Sequence, residues 1–562
     1  MGGWLGNLRV TGRVRPVWSI DFVTSNSNKI IVIGSGPAGL SCTMALLKKG
    51  IQVTLLDIGV RKPGDSVKAN TSDLDWDNAY ERLVNPQGIP LKTTFGSLHP
   101  YNQNISVKQT GCMLVSSQSA GGLSAVWGRA CLPYTDLELS GWPVRYEELR
   151  PYYQFVEQEM MTLHCANPSQ SAFPYHSPTV KALPVPKSLG RIAKKLQQYF
   201  EVVSARIALN KNREHACSGC GHCLAGCPED VLLDFSATIN RIKEMYPNFS
   251  YVPHIKVNSF TETEENVIVQ GESLKGEGEA VSMPADKLFL ACGPLATAII
   301  VLGSQQEKQD VEILDSQYFF IPFISLKPLL KTEELANYHS SCQLMAEHLN
   351  SRPWSSFSPP NVECGDSSPL SEPCGDESPH SKNPPIGLNG ARTTNRTHLQ
   401  FYFYNEIFER VVFHKLPFMK RFHFALMPIY RRLGLVQGFI HSDSSAKMCL
   451  KKAENGGFEL SVSKKAPSGI KILPPILWKL LKAGLIPILP GLQFKLPGQS
   501  FHNGGSFPMQ SSGGFLTTEA NGKLRGFNRV YIADSSAFPS IPATTITLTI
   551  MANAYRVGDI NA

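Results

Sequence analysis

Residues 29–57 read KIIVIGSGPAGLSCTMALLKKGIQVTLLD. The run Ile30–Ile33 is apolar throughout, which is typical of a buried parallel strand. Three glycines follow it directly, Gly34, Gly36 and Gly39. A helical pattern comes next, and a second apolar run ends in Asp57, 18 residues after Gly39. Glycines at these positions permit a tight turn and let a pyrophosphate approach the helix N-terminus, while the acid can accept hydrogen bonds from a ribose. The stretch therefore predicts a dinucleotide-binding fold.

Two later segments have the same character. Residues 285–304 predict a strand, a Gly-Pro turn and a helix of small and apolar residues. Residues 529–537 predict a strand that ends in Asp534, and a Thr-rich helix start follows at 544–551. Because these pieces lie near both ends of the chain, we expect one dinucleotide-binding domain built from separated segments, with a second domain inserted.

Composition limits the function classes. The chain has 562 residues, 42% hydrophobic and 18% charged, which excludes a disordered protein. A net charge of +8 without dense Lys/Arg clusters argues against a nucleic-acid partner. No secretory signal and no apolar run of about 18 residues is visible, and segment 470–494 is interrupted by lysines and prolines. We therefore expect a cytoplasmic protein with reduced cysteines.

Further motifs resemble a known family, the glucose-methanol-choline (GMC) flavin oxidoreductases. The resemblance includes the opening glycine motif, the segment GGLSAVWG at 121–128, and the ending His502-x-x-Gly-Ser-x-x-Met followed by Asp534 and the stretch FPSIP at 538–542. The continuation Gly-Trp-Pro at 141–143 looks like the bacterial sugar and polyol dehydrogenase branch. The resemblance implies a Rossmann-type FAD-binding domain of the α/β class, with an inserted substrate domain on an antiparallel sheet. The chain as a whole is then α+β.

The resemblance also implies how the cofactor is held. Its predicted FAD-binding residues are Gly34, Gly36, Gly39, Asp57, Gly121, Gly122 and Asp534. Some relatives attach the flavin to a histidine near Gly121, but residues 111–153 contain no histidine, so we expect noncovalent FAD. The domain prediction is FAD-binding segments at 28–145, 241–304 and 496–562, a connecting segment at 146–205, an iron–sulfur loop at 206–240, and a substrate domain at 305–495 with a disordered insertion at 350–396.

A second chemical signal is a run of cysteines. Cys217, Cys220, Cys223 and Cys227, followed by Pro228, have the spacing of a bacterial ferredoxin loop. Zinc is the competing ligand, although zinc sites usually separate two cysteine pairs by a longer arm. We expect an iron–sulfur cluster, [4Fe-4S] or [3Fe-4S], that takes electrons from the flavin. The alternative is a cluster that only holds the loop together.

The candidate catalytic residues are His502 and Thr545. His502 stands before a glycine pair, and in the resembled family the matching histidine faces the flavin and removes the hydroxyl proton of the substrate. An unperturbed pKa near 6.5 suits that task. Thr545 occupies the position where the family has a second histidine or asparagine. A threonine can hydrogen bond but cannot act as a base near neutral pH.

Residues 409–432 interleave basic with apolar residues, and no acid follows Glu409 there. Such a pattern predicts either an anionic membrane surface as partner or an ordinary helix pair above the active site.

Taken together, the sequence predicts an FAD-dependent dehydrogenase that oxidises a small-molecule alcohol, sugar-like by resemblance. Electrons would leave through the cluster to an external acceptor: a quinone, a cytochrome or a ferredoxin-like carrier. Two alternatives remain: a flavin reductase fed by the cluster, acting on a carbonyl or double bond, and a non-catalytic electron-transfer subunit. We therefore expect a cytoplasmic protein, with peripheral contact with the membrane as the alternative.

Overall fold

A computed structural model describes most of the chain. The described residues are 18–19, 29–59, 107–125, 127–166, 173–213, 215–221, 223, 227, 229–276, 278–335, 337–349, 396–404, 417–454, 456–464 and 469–562. The predicted insertion at 350–396 lies outside them, apart from Arg396, which begins a strand. None of the described helices is long and apolar enough to cross a membrane.

Twenty-three strands form in the described residues. In chain order they are β1 (Trp18–Ser19), β2 (Lys29–Ile33), β3 (Gln52–Leu56), β4 (Val107–Thr110), β5 (Thr162–Cys165), β6 (Glu201–Ser204), β7 (Arg206–Leu209), β8 (Phe249–Val252), β9 (Ile255–Glu262), β10 (Val267–Ser273), β11 (Ala280–Ala285), β12 (Lys287–Leu290), β13 (Val311–Asp315), β14 (Tyr318–Ser325), β15 (Leu344–Leu349), β16 (Arg396–Tyr402), β17 (Leu433–Ile440), β18 (Lys447–Lys452), β19 (Phe458–Lys464), β20 (Leu485–Pro487), β21 (Gln493–Phe494), β22 (Asn503–Gly504) and β23 (Val530–Ile532).

Eight α-helices accompany these strands in the same part of the chain. They are α1 (Pro37–Lys48), α2 (Tyr146–Phe155), α3 (Ser188–Leu196), α4 (Phe235–Met245), α5 (Pro294–Gly303), α6 (His423–Tyr430), α7 (Leu473–Lys482) and α8 (Thr547–Ile560).

The first domain is built on a parallel sheet in the order β23-β12-β2-β3-β8. Its central strands β2 and β3 are buried almost completely, which explains their uninterrupted apolar sequence. Helices α1 and α8 pack against each other beside this sheet. Strands from residues 29, 287 and 530 onward are thus neighbours, and the predicted Rossmann-type α/β fold is confirmed.

An antiparallel sheet forms the opposite part of the molecule, in the order β20-β14-β17-β16-β15-β6, with β21 also paired to β14. Helices α3 and α7 bury apolar side chains such as Leu196, Ile476 and Leu480 in a core with this sheet. A further sheet, in the order β22-β13-β18-β19-β4, brings the segment around Asn503 beside β13. The pairing of β22 with β13 thus fixes the backbone directly after His502.

Candidate active site

A cavity of about 890 Å³ lies between the parallel and antiparallel sheets. Its lining includes the glycine turn after β2, the segment around Gly122, the start of α5, the face of β14, β16 and β17, and residues 499–503. Ligands of open α/β sheets bind at the carboxyl ends of the strands. The glycine turn and His502, both predicted from the sequence, line this same cavity.

The glycine turn is shaped for close approach. The backbone of Gly34 has φ +101°, and a Cβ there would lie 2.6 Å from the carbonyl oxygen of Ala291. A Cβ on Gly39 would lie 1.7 Å from the Gly34 carbonyl oxygen, whereas a Cβ on Gly36 would meet nothing within 4 Å. Gly34 and Gly39 thus allow the backbone segments around them to pack closely. Gly36 instead leaves open space at the N-terminus of α1, where backbone N–H groups favour an anion.

Asp57, which follows β3, lies buried at the cavity. Its Oδ2 atom accepts hydrogen bonds from the Ser35 hydroxyl and, at 3.1 Å, from the Tyr251 hydroxyl. Burial raises the pKa of this carboxyl to about 6, although both hydroxyls counteract that rise. Ser35 in turn accepts the Gly121 N–H at 2.9 Å. Ser35 and Tyr251 therefore fix Asp57 in place.

Gly121 and Gly122 both have positive φ, at 82° and 60°. A Cβ on Gly122 would lie 3.2 Å from Cα of Gly36, and one on Gly121 would lie 2.6 Å from the backbone nitrogen of Ser236. The two glycines therefore let this segment pack directly against the glycine turn and the start of α4.

Asp534, at the end of β23, is buried and lines the cavity. It accepts hydrogen bonds from the Gly293 N–H at 2.8 Å, the Thr297 hydroxyl at 2.6 Å and the Ser536 N–H at 2.8 Å. Burial raises the pKa of the carboxyl. Asp534 thereby connects the last strand of the parallel sheet to the N-terminus of α5.

His502 lines the cavity with its ring stacked on Phe439, the ring centroids 4.5 Å apart and the planes 16° from parallel. Its backbone N–H donates to the Ser500 hydroxyl at 2.9 Å, and its carbonyl oxygen accepts from the Ser316 N–H at 3.0 Å. The residue before it, Phe501, has φ +62°. The aromatic contact and the two backbone bonds limit the positions that the imidazole can take.

Thr545 also lines the cavity and is buried. Its hydroxyl accepts the Leu132 N–H at 2.7 Å and lies 3.4 Å from the Leu132 carbonyl oxygen. The side chain thus holds the 130–134 segment beside the start of α8.

The four cysteines occupy unlike positions. Cys217, Cys223 and Cys227 are half-buried against one apolar cluster that includes Ile207 and Leu232. Cys220 is exposed and forms an isolated strand bridge with Tyr338. Across the described ranges, no three Cys, His, Asp or Glu side chains are arranged to hold a metal ion. The iron–sulfur site on these cysteines therefore stays a prediction.

Arg129 connects the cysteine loop with the cavity, which it lines. Its Nε atom donates to the Leu233 carbonyl oxygen at 3.2 Å. Burial lowers the pKa of this guanidinium, while Asp234, Cys227 and Cys223 oppose that effect by charge. The loop thus lies within electrostatic range of a residue at the cavity wall.

Comparisons with known proteins agree with this architecture. Residues 494–554 match the family model of GMC oxidoreductases, in its C-terminal part. The solved structure of pyridoxine 4-oxidase from Mesorbium loti has a similar fold, with a TM-score of 0.59 and 11% sequence identity, over 95% of this chain and 98% of that one. No curated protein matches the sequence significantly.

Proposed function

We propose that the chain is an FAD-dependent oxidoreductase of the GMC type, which its C-terminal family match and its fold support, and that it oxidises an alcohol next to His502 in the cavity. The observation that carries this proposal is the shared cavity. The glycine turn at one end of the chain and His502 at the other both line it. An alcohol bound there lies within reach of both a dinucleotide site and an imidazole.

The residues of the cavity fit FAD. Gly36 leaves open space at a helix N-terminus, and the packed Gly122 keeps that space accessible. We assign the pyrophosphate to this turn and the ribose to Asp57, which Ser35 and Tyr251 hold in position. Asp534 would hold the start of α5 against the cofactor. When bound, FAD supplies an acceptor for a hydride.

His502 is the proposed base. One of its ring nitrogens takes the hydroxyl proton of the alcohol, which lets the carbon release its hydride. The stack on Phe439 and the bonds to Ser500 and Ser316 set the ring in advance. Such positioning removes the entropic cost of orienting the base in the transition state. We propose that Thr545 acts through the backbone of Leu132 and shapes the cavity wall.

An anaerobic absorbance titration tests this proposal. Addition of alcohols to the flavin-loaded protein should bleach the flavin band. His502→Asn should keep the flavin and slow the bleaching by about 10²–10⁴-fold, the range for loss of a general base. If dithionite reduces the flavin but no alcohol does, alcohol oxidation is the wrong reaction for this site.

A second proposal concerns the exit of electrons through an iron–sulfur cluster on the cysteine run to an external acceptor. Its support is the ferredoxin spacing of the cysteines, the apolar cluster that Cys217, Cys223 and Cys227 share, and the proximity of Arg129 to both loop and cavity. Protein prepared without oxygen should contain iron and acid-labile sulfide, and Cys223→Ser should lose both. Preparations free of iron that still reduce an acceptor would refute the cluster.

A further inference from the structure

The substrate end of the cavity is mainly apolar. Strand register places Tyr318 opposite Phe439, and Tyr402 opposite Leu435. These four residues line the cavity together with Phe320. Side chains at alternating positions of neighbouring strands share one face of a sheet. This face is therefore aromatic and aliphatic apart from Gln400 and Gln437, which line the cavity beside these residues.

Several polar side chains of the same wall are engaged within the protein. Gln400 accepts the Tyr402 hydroxyl at 2.9 Å. The Gln499 side chain accepts the Leu496 N–H at 3.2 Å, and the Thr545 hydroxyl is bound to Leu132. A sugar presents a hydroxyl on almost every carbon, and each buried hydroxyl without a partner costs about 1–3 kcal/mol. An alcohol with one hydroxyl and an apolar body fits this wall better than the sugar-like substrate that the family resemblance implies.

The surface beside this sheet carries an apolar patch, which we define as Leu326, Phe424, Ile429, Trp478, Leu481 and Ile486. All six are exposed, and Phe424 reaches 91%. Phe418 and Phe422, exposed just before α6, extend the patch. Contiguous exposed apolar surface marks a contact site in a folded protein.

The elements that carry the patch meet at Leu326. The Leu326 N–H donates to the Gly484 carbonyl oxygen, directly after α7, at 3.1 Å. The Leu326 carbonyl oxygen accepts from Arg432, directly after α6, at 2.6 Å. Strand β20, with Ile486, pairs with the end of β14. The elements that carry the patch therefore meet at one end of the antiparallel sheet.

Residues 485–496 connect the patch with the cavity, and we call them the ribbon. The ribbon follows β14 from its end to its start, since Ile486 pairs with Ile324 and Phe494 pairs with Phe319. Its last part includes Lys495, which lines the cavity. Leu489 and Leu496 are exposed on the ribbon, 62% and 51%. An apolar track thus runs from the patch to the cavity.

The charges around the patch are predominantly basic. Residues 417–442 and 469–518 contain no Asp or Glu. Arg421, Lys471 and Lys482 are exposed there, and the Lys482 ammonium lies 4.7 Å from the centre of the Trp478 ring. The neighbouring acid Glu333 is already paired with Lys331 at 3.5 Å. Aromatic side chains among basic ones complement an anionic lipid surface.

We propose that the patch docks on an anionic lipid membrane and that the enzyme takes an apolar, single-hydroxyl alcohol from that membrane along the ribbon. The substrate part rests on the proposed alcohol oxidation. The docking part does not, because it needs only the surface.

Vesicle sedimentation tests the docking. Flavin-loaded protein should sediment with phosphatidylcholine vesicles that contain phosphatidylserine, and less with phosphatidylcholine alone. Phe424→Ser combined with Trp478→Ser should weaken binding at least about tenfold. The matched control is Phe515→Ser, since Phe515 is 48% exposed outside the patch. Equal sedimentation of the wild type, the double variant and Phe515→Ser would overturn membrane docking. If the wild type does not sediment with vesicles at all, docking is also overturned, and the patch is then assigned to a protein partner.

Anaerobic flavin bleaching tests the substrate class. A long-chain primary alkanol in the vesicles should bleach the flavin faster than a hexose at equal total concentration. The double variant should lose rate on the vesicle-borne alkanol and retain its rate on dissolved butanol. Bleaching by the hexose but not the alkanol overturns the apolar substrate and leaves alcohol oxidation intact. Absence of bleaching by all three refutes alcohol oxidation itself.

Discussion

Asp315 accepts a hydrogen bond from the Ser500 hydroxyl, and this bond connects a fully buried carboxyl with the segment that carries His502. Asp315 also accepts the Gly498 N–H at 2.8 Å. Ser500 in turn accepts the His502 N–H. The Asp315 carboxyl therefore holds the backbone before the proposed base at two points: at Gly498 directly, and at His502 through Ser500.

This arrangement predicts a pH-dependent stability. Burial raises the pKa of Asp315 to about 7, above its ordinary value of 3.8, so the folded state holds the proton more tightly than the unfolded state. The resulting contribution to the free energy of unfolding is full below about pH 4, decreases as the pH rises, and is lost above about pH 7. It amounts to a few kcal/mol, since one pKa unit corresponds to about 1.4 kcal/mol.

Urea unfolding of wild type and Asp315→Asn from pH 4 to 8 measures this effect. The difference between the two proteins should change across that window. Asp310→Asn is the control, because Asp310 is 56% exposed, and its difference from wild type should vary much less. A constant difference for Asp315→Asn would contradict the prediction.

The glycine turn gives a matched pair of variants. Gly39→Ala should destabilise the protein by about 3 kcal/mol or more, because the new Cβ would meet the Gly34 carbonyl oxygen at 1.7 Å. Gly36→Ala should leave the free energy of unfolding of the flavin-free protein within about 1 kcal/mol, since its Cβ meets nothing within 4 Å.

Urea unfolding and bound-flavin content distinguish the two glycines. Gly36→Ala should fold and bind less FAD, because the methyl group enters the space assigned to the pyrophosphate. Full flavin content in Gly36→Ala would place the pyrophosphate elsewhere.

Variants of Thr545 distinguish a structural role of its hydroxyl from a catalytic one. Thr545→Val removes the hydroxyl that accepts the Leu132 N–H and should cost about 1–3 kcal/mol of stability, the penalty for a buried donor without a partner. Thr545→Ser should restore most of it. If Thr545 acts only through the backbone, the flavin reduction rate of Thr545→Val should fall less than tenfold. A loss comparable to that of His502→Asn would show direct contact with the substrate.

The proposed base should determine the pH–rate profile. In wild type, the flavin reduction rate should rise as the pH increases, because only a neutral imidazole accepts the proton of the alcohol. His502→Asn should lack that rise, while its flavin spectrum and unfolding free energy stay close to wild type. A rise that persists in the variant would assign the base to another group.

The sequence predicted those parts of the fold that depend on local pattern. The strand, glycine turn, strand and acid at 29–57 form as expected, because their spacing is dictated by one βαβ unit. The hydroxyls of Ser35 and Tyr251 that fix Asp57 were not predicted. Tyr251 lies 194 residues away from Asp57 in the chain, and no local pattern reports that contact.

The substrate wall was equally hidden from sequence reasoning. Gln400 and Tyr402 become neighbours of Gln437 and Leu435 only through the register of β16 and β17. A sequence shows that a strand alternates, but it does not show which face a distant strand will cover. The cysteine run shows a different restriction. Its spacing predicts metal ligands, but spacing alone does not tell how exposed each thiol is, and the folded loop leaves Cys220 exposed.

Strand β12 lies between β2 and β23 in the parallel sheet. The outer two strands are about 500 residues apart along the chain, so closing this sheet is an event of very high contact order. During synthesis, the first βαβ unit therefore emerges about 500 residues before β23, which completes its sheet beyond β12, and before helix α8, which packs on α1. We therefore expect the apolar α1 to need protection by chaperones until those distant segments have been synthesised.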